Sequence, residues 1–176
     1  MTVNNNNTMK TKLKILKVWI EHRPDPNPDT SHMGEYASKP TSRFSIRRED
    51  MERNQYRYFN PSGNYLDSAD KLKGGLTPAV VAKYVQEDYR RMETLHRGDW
   101  LYIGIIAKAE VQLNGHSTVQ VLRSGGLWGV ESDSGDKYLT GVASEELGAL
   151  RAELEAIGFS KCAITSAFAL VTTKTQ

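Results

Sequence analysis

Cysteine is nearly absent. Cys162 stands alone among 176 residues, so no intramolecular disulfide forms, a usage that suits a reducing compartment. Long apolar runs are missing too. No stretch approaches the roughly 20 residues needed to span a bilayer. The opening MTVNNNNTMKTK has no apolar segment of the kind a secretory signal carries. The expectation is a soluble protein of the cytoplasm with no membrane partner. Charge of one sign is lacking as well: 23 Lys and Arg face 21 Asp and Glu, for a net charge of +2. A DNA mimic should be strongly acidic and a DNA-coating protein strongly basic. The short catalytic and nucleotide-binding signatures are missing: GxxxxGKS/T, GxGxxG after a strand, HExxH, CxxC and GxSxG. No catalytic residue, cofactor or metal is assigned on this basis, and the balance falls toward a protein that is not an enzyme.

What is present reads as one α+β domain over 12–160, after a disordered 1–11, with 161–176 as a tail. A chain of this length buries roughly 70% of its unfolded surface and needs no staple. Leu13–Glu21 alternates with apolar residues on both faces, as an inner strand does. HRPDPNPDTSHMGEY follows, in which Pro24, Pro26 and Pro28 hold an extended path that projects as a rigid loop. Arg43–Arg48 suits a short strand, and QYRYFN ends in the turn signal NPSGN. Thr77 and Pro78 open a helix that Gly98 stops. Asp88 falls inside its apolar stripe and needs a partner, Arg91 or Lys83 being the near candidates.

Trp100–Leu113 is a long strand leading to Asn114-Gly115, the strongest short hairpin signal, with Val119 and Val121 returning. A short strand at Leu127–Val130 and a helix over 144–157, capped by Ser144, complete the pattern. The tail is ambiguous: Ile164, Ser166, Phe168 and Leu170 alternate as an edge strand would, but its alanines suit a helix. The expected fold is an antiparallel sheet with a long central β-hairpin and two main helices packed on it.

Three constellations are candidates for function. SGGLWGVESDSGD presents Trp128 beside Glu131, Asp133 and Asp136, a loop with several oxygen ligands but without the twelve-residue calcium pattern. It reads as a cap on the following helix, a surface for a cationic partner, or a carboxylate set for metal-dependent hydrolysis or nucleotide processing. The proline loop adds Asp25 and Asp29 to the partner-binding set. His22 and His32 flank that loop, too far apart for the usual zinc spacing. Arg43, Arg47, Arg48 and Arg57 form the nucleic-acid-binding alternative, diluted by Glu49, Asp50 and Glu52. Cys162 sits in an apolar context and reads as a packed thiol.

The segments QYRYFNP, VQEDYRRMETLHRGDWLYIGIIAKAEV and SGGLWGVESDSGDKYL, with the EEL-containing helix after them, resemble a family of uncharacterised proteins of bacteriophages, prophages and mobile elements. The likeness spans roughly 12 to 159, with GDW, AEV and SGGLWGVESDS as its closest motifs. That family has no assigned catalytic residues to carry over. The resemblance implies a small accessory protein inside a bacterial host cell, whose partner is a bacterial protein such as a defence nuclease or a nucleic-acid-processing complex. A homodimer formed by strand addition is a further expectation.

Overall fold

The computed structural model describes residues 13–49, 56–68, 71–113 and 118–175. The asparagine run, the Asn114-Gly115 turn with His116, and Asp50 to Gln55 lie outside these residues. In chain order the elements are β1 (Leu13–Pro24), β2 (Gly34–Ala37), β3 (Ile46–Arg47), β4 (Tyr58–Pro61), β5 (Leu66–Ser68), β6 (Lys71–Leu72), α1 (Pro78–Arg97), β7 (Tyr102–Leu113), β8 (Val119–Arg123), β9 (Leu127–Glu131), α2 (Asp136–Ala156), α3 (Lys161–Phe168) and β10 (Thr172–Thr175). The class is α+β, with mostly antiparallel sheet, as expected.

Where the sequence reads as one continuous domain with a tail, the chain divides into two compact units: residues up to 25 together with 102 onward, and residues 26–101. The second unit is an insertion between β1 and β7, which are antiparallel neighbours in the first. At the point of departure the Asp25 N–H donates to the Tyr102 carbonyl at 2.8 Å. The backbone therefore leaves and returns at one spot, as an insertion into a pre-existing strand pair requires.

In the first unit the sheet runs β10-β1-β7-β8, with β9 also on β7. β1 is an inner strand, flanked by β10 on one edge and β7 on the other. On one face Val18, Ile20, Ile103, Ile105, Ala107 and Ala109 meet Val142, Leu150 and Leu154 of α2 and Ile164 of α3. The small alanines of β7 let the helices approach. On the opposite face lies an ion pair, Lys108 to Glu21 at 2.7 Å, with the two side chains 17% and 6% exposed. The Lys108 hydrogen bond holds the Glu21 carboxyl below its ordinary 4.5, against burial that pushes it up.

One reading needs correction here. α2 begins at Asp136, not at Ser144, because Leu139 and Val142 extend the stripe of Leu147, Leu150 and Leu154 about two turns upstream. Its N-cap is Gly135, with no side-chain cap. Of the two forms open to the tail, 161–168 takes the helical one: Ser160 caps α3 by accepting from the Ala163 N–H at 3.2 Å. The edge strand comes later, as β10, parallel to β1.

In the second unit the sheet order is β2-β4-β3, beside the β5–β6 hairpin and α1. β2 lies inside the segment read as loop. It follows Pro28, so the prolines end before the ladder starts, and Gly34 allows its close approach to Phe59 and the Asn60 carbonyl. The strand read over Arg43–Arg48 shrinks to β3. α1 is capped as expected: Thr77 accepts from the Val80 N–H, and Gly98 takes φ 78°. Asp88 finds neither Arg91 nor Lys83; it accepts from the Tyr65 hydroxyl at 2.7 Å. Burial pushes its carboxyl above the usual aspartate value. That partner is 23 residues away in sequence, out of reach of helix-spacing arguments.

Candidate functional site

β7 shares one edge between two strands. β8 pairs with Lys108–Gln112 and β9 with Tyr102–Ile105, so the edge strand is interrupted at Ser124-Gly125-Gly126. Ser124 bridges the gap. Its N–H donates to the Ala107 carbonyl at 2.9 Å, and its hydroxyl oxygen accepts from the Ala107 N–H at 3.0 Å. Gly126 then turns with φ 78°, and its N–H donates to a Glu146 carboxylate oxygen of α2 at 3.0 Å. A side chain there would meet Ile106 at 2.8 Å.

The interruption places Trp128. Its indole lies on Gly104 of β7, where an added Cβ would sit 2.5 Å from the ring. Gly104 is thus the flat seat of an aromatic ring that remains 40% exposed. Beyond it Gly129 takes φ 73°, and its N–H donates to Asp25 at 3.2 Å. The ring is held from below and its chain is tied at both ends, so its geometry is set before any partner arrives.

On the α2 side of β9 a shallow groove of about 560 Å³ is lined by Leu127, Lys137, Tyr138, Gly141, Val142 and Glu145 among others. Trp128 lies on the other face of the strand, over Gly104, and lines a separate cavity of about 340 Å³ with Ile106, Arg123, Ser124 and Glu153. Leu127 is 40% and Tyr138 55% exposed. Glu131 closes the strand and its carbonyl accepts from the Ser134 N–H at 3.0 Å. Asp133 is exposed in the turn, and Asp136 opens α2, where a carboxylate complements the helix dipole.

The expected partner-binding residues are therefore only partly assembled. Trp128, Glu131, Asp133 and Asp136 follow one another along β9 and into α2, and Asp25 joins them through Gly129. Asp29 belongs to the second unit, where it accepts from the Ser31 N–H at 2.9 Å; hydrogen bonding from Ser31 lowers its carboxyl. Among the described residues no group of three or more His, Cys, Asp or Glu side chains converges to hold a metal ion. The carboxylates of the 131–136 loop, and those around His22 and His32, do not form such a cluster. Cys162 is exposed on α3 rather than packed: the apolar neighbours in sequence lie on other faces of the helix.

The arginines of the nucleic-acid alternative diverge in role. Arg48 lies 4.1 Å above the Tyr36 ring and reaches Glu93 at 3.0 Å and the Tyr56 carbonyl at 3.2 Å, which occupies its donors inside the unit. Arg43 stacks on Phe44 at 4.9 Å. Arg47 is exposed and Arg57 half-buried.

The contributions of Gly104, Glu146 and Tyr138 are missed by motif reading. A signal existed for one of them: a glycine in the middle of a long alternating strand marks a close approach. Compared with family models, with curated proteins and with solved structures, the chain matches none.

Proposed function

We propose that this protein is a non-enzymatic accessory protein of phage or mobile-element origin. It docks on a bacterial protein, a defence nuclease being the preferred target, and modulates it stoichiometrically. The observation that carries this reading is Trp128, 40% exposed yet seated on Gly104, beside a cavity lined by Ile106, Arg123 and Ser124. Aromatic anchors on a preorganised surface dominate the binding energy of protein interfaces. Glu131, Asp133 and Asp136 make the turn that follows Trp128 in the chain acidic. An acidic turn suits the basic nucleic-acid channel of a nuclease without the whole chain being acidic.

The test is a tagged pull-down from bacterial lysate, with and without nuclease treatment, read by mass spectrometry. The expected result is one stoichiometric protein that survives nuclease treatment. Trp128→Ala should reduce its recovery by about 10-fold or more, as loss of an anchor worth roughly 2 kcal/mol does. Gly104→Ala should do the same by displacing the ring, with a shift in tryptophan fluorescence. Recovery of nucleic acid alone, or of a partner indifferent to Trp128, would refute the reading and turn attention to Arg43 and Arg47.

A further inference from the structure

β7 pairs along the length of β1, but β10 covers only Trp19–His22 on the opposite edge. The remaining part of that edge, Leu13–Val18, has no ladder partner among the described residues. It spans about 20 Å, enough for a short strand. α3 runs beside it. Ala163, Ser166, Ala167 and Leu170 bound, with Leu13–Val18, a groove of about 500 Å³. Ala163, Ser166 and Ala167 on its helix side are small, so a backbone can approach.

The two sides of this slot differ in chemistry. Leu13, Ile15 and Val18 turn toward the core that α3 covers. A bulge lies between Ile15 and Lys17, so alternation resumes on either side of it and directs Lys14 and Lys17 to the other face, where both are exposed. A strand laid in the slot would meet alanines on one face and two ammonium groups on the other.

We propose that this slot receives an extended segment of a partner protein as an added strand, in line with β10. Its small apolar residues turn toward Ala163 and Ala167, and its acidic residues turn toward Lys14 and Lys17. Backbone pairing supplies the affinity and the alternating side chains the selectivity, as in other strand-addition sites. The chain's own edge strand β8 (VQVLR) does not fit this description: it carries Arg123, so a second copy pairing through it would bring like charge to Lys14 and Lys17. The slot is separate from the Trp128 surface and does not depend on the reading of it.

The experiment uses the full chain and two labelled peptides of eight residues, one alternating valine and alanine with glutamate, the other with lysine in place of glutamate. Fluorescence anisotropy should show the acidic peptide binding at least about 10-fold tighter, the effect of two rim charges and their reversal. Lys14→Glu with Lys17→Glu should reverse the preference, Ser166→Trp should weaken binding by filling the groove, and Trp128→Ala should leave it unchanged. Amide hydrogen exchange should slow at Leu13–Val18 when the acidic peptide is added. Equal binding of the two peptides, or protection confined to other segments, overturns the proposal. So does protection of Leu13–Val18 in the free chain, which would mean that the chain itself, or a second copy if the protection rises with concentration, fills the slot.

Discussion

In the first unit the most deeply enclosed large side chains are aliphatic: Ile20, Ile105, Leu150, Leu154 and Ile164. In the second they include Phe59 and the amide of Asn60, and the surrounding contacts are rings and hydrogen bonds. Phe59 meets Tyr36 at 5.7 Å and Tyr89 at 5.5 Å between ring centroids. Asn60 accepts from the Ser45 hydroxyl at 2.8 Å and the Thr41 N–H at 3.1 Å, and donates to the Lys39 carbonyl. Tyr36 donates to Glu93 at 2.5 Å, and burial, with that carboxylate, pushes its phenol well above the ordinary value. The difference follows from the elements available. A five-stranded sheet with two helices has enough continuous apolar surface to close a core. Five short strands split between two small sheets, with one helix, do not, so the inserted unit relies on large rings and on polar groups that each need a partner.

The contrast can be broken most directly at its centres. Phe59→Ala should cost about 3–5 kcal/mol and Leu150→Ala about 2–5 kcal/mol, both by cavity formation. Chemical denaturation measures each. If Phe59→Ala proves nearly neutral, the second unit is not organised around its ring cluster.

A smaller effect tests the Lys108–Glu21 ion pair of the first unit. Lys108→Met leaves Glu21 without its partner and should cost about 1–3 kcal/mol at pH 7, the side chain's partial exposure reducing the figure for a fully buried pair. Glu21 is held below its ordinary 4.5, so the pair's contribution is present above that pH and is lost as pH falls through the lowered value. The gap between wild type and variant should therefore narrow below pH 4.5 in denaturation curves. A gap unchanged at acid pH would assign the effect to the lysine stem and not to its charge.

The smallest effect has the opposite sign. Burial raises the Asp88 carboxyl, so its charge is a liability as pH rises above the ordinary 3.8. Asp88→Asn keeps an acceptor for the Tyr65 hydroxyl and should stabilise the protein at pH 7 by under about 1 kcal/mol, since the site is partly open. The gain should vanish below pH 3.8, as thermal denaturation at both pH values would show. A loss of stability at neutral pH would mean that the charged form of the Tyr65 hydrogen bond outweighs desolvation.

The legible parts of this protein are those governed by local periodicity. The inner character of β1, the long β7, the caps of α1 and the return of β8 all follow from alternation, helical spacing and turn chemistry, whose physics acts within a few residues. The start of α2 was obscured by a serine that looks like a cap, although Leu139 and Val142 carried the longer stripe. The candidate site was legible as composition, in Trp128 and three carboxylates, but not as geometry.

The sequence by itself determined the α+β class, the apolar stripes, and the absence of the short catalytic signatures, because these depend on residue type and on spacing along the chain. Only the tertiary structure decided that residues 26–101 are an insertion between paired strands, that Gly104 seats Trp128, that Asp88 meets Tyr65, and that Leu13–Val18 on one edge of β1 has no ladder partner among the described residues. Each of these joins residues far apart in the chain. Pairing of that kind is set by which surfaces close best against one another, a property of the whole packed arrangement and not of any local stretch.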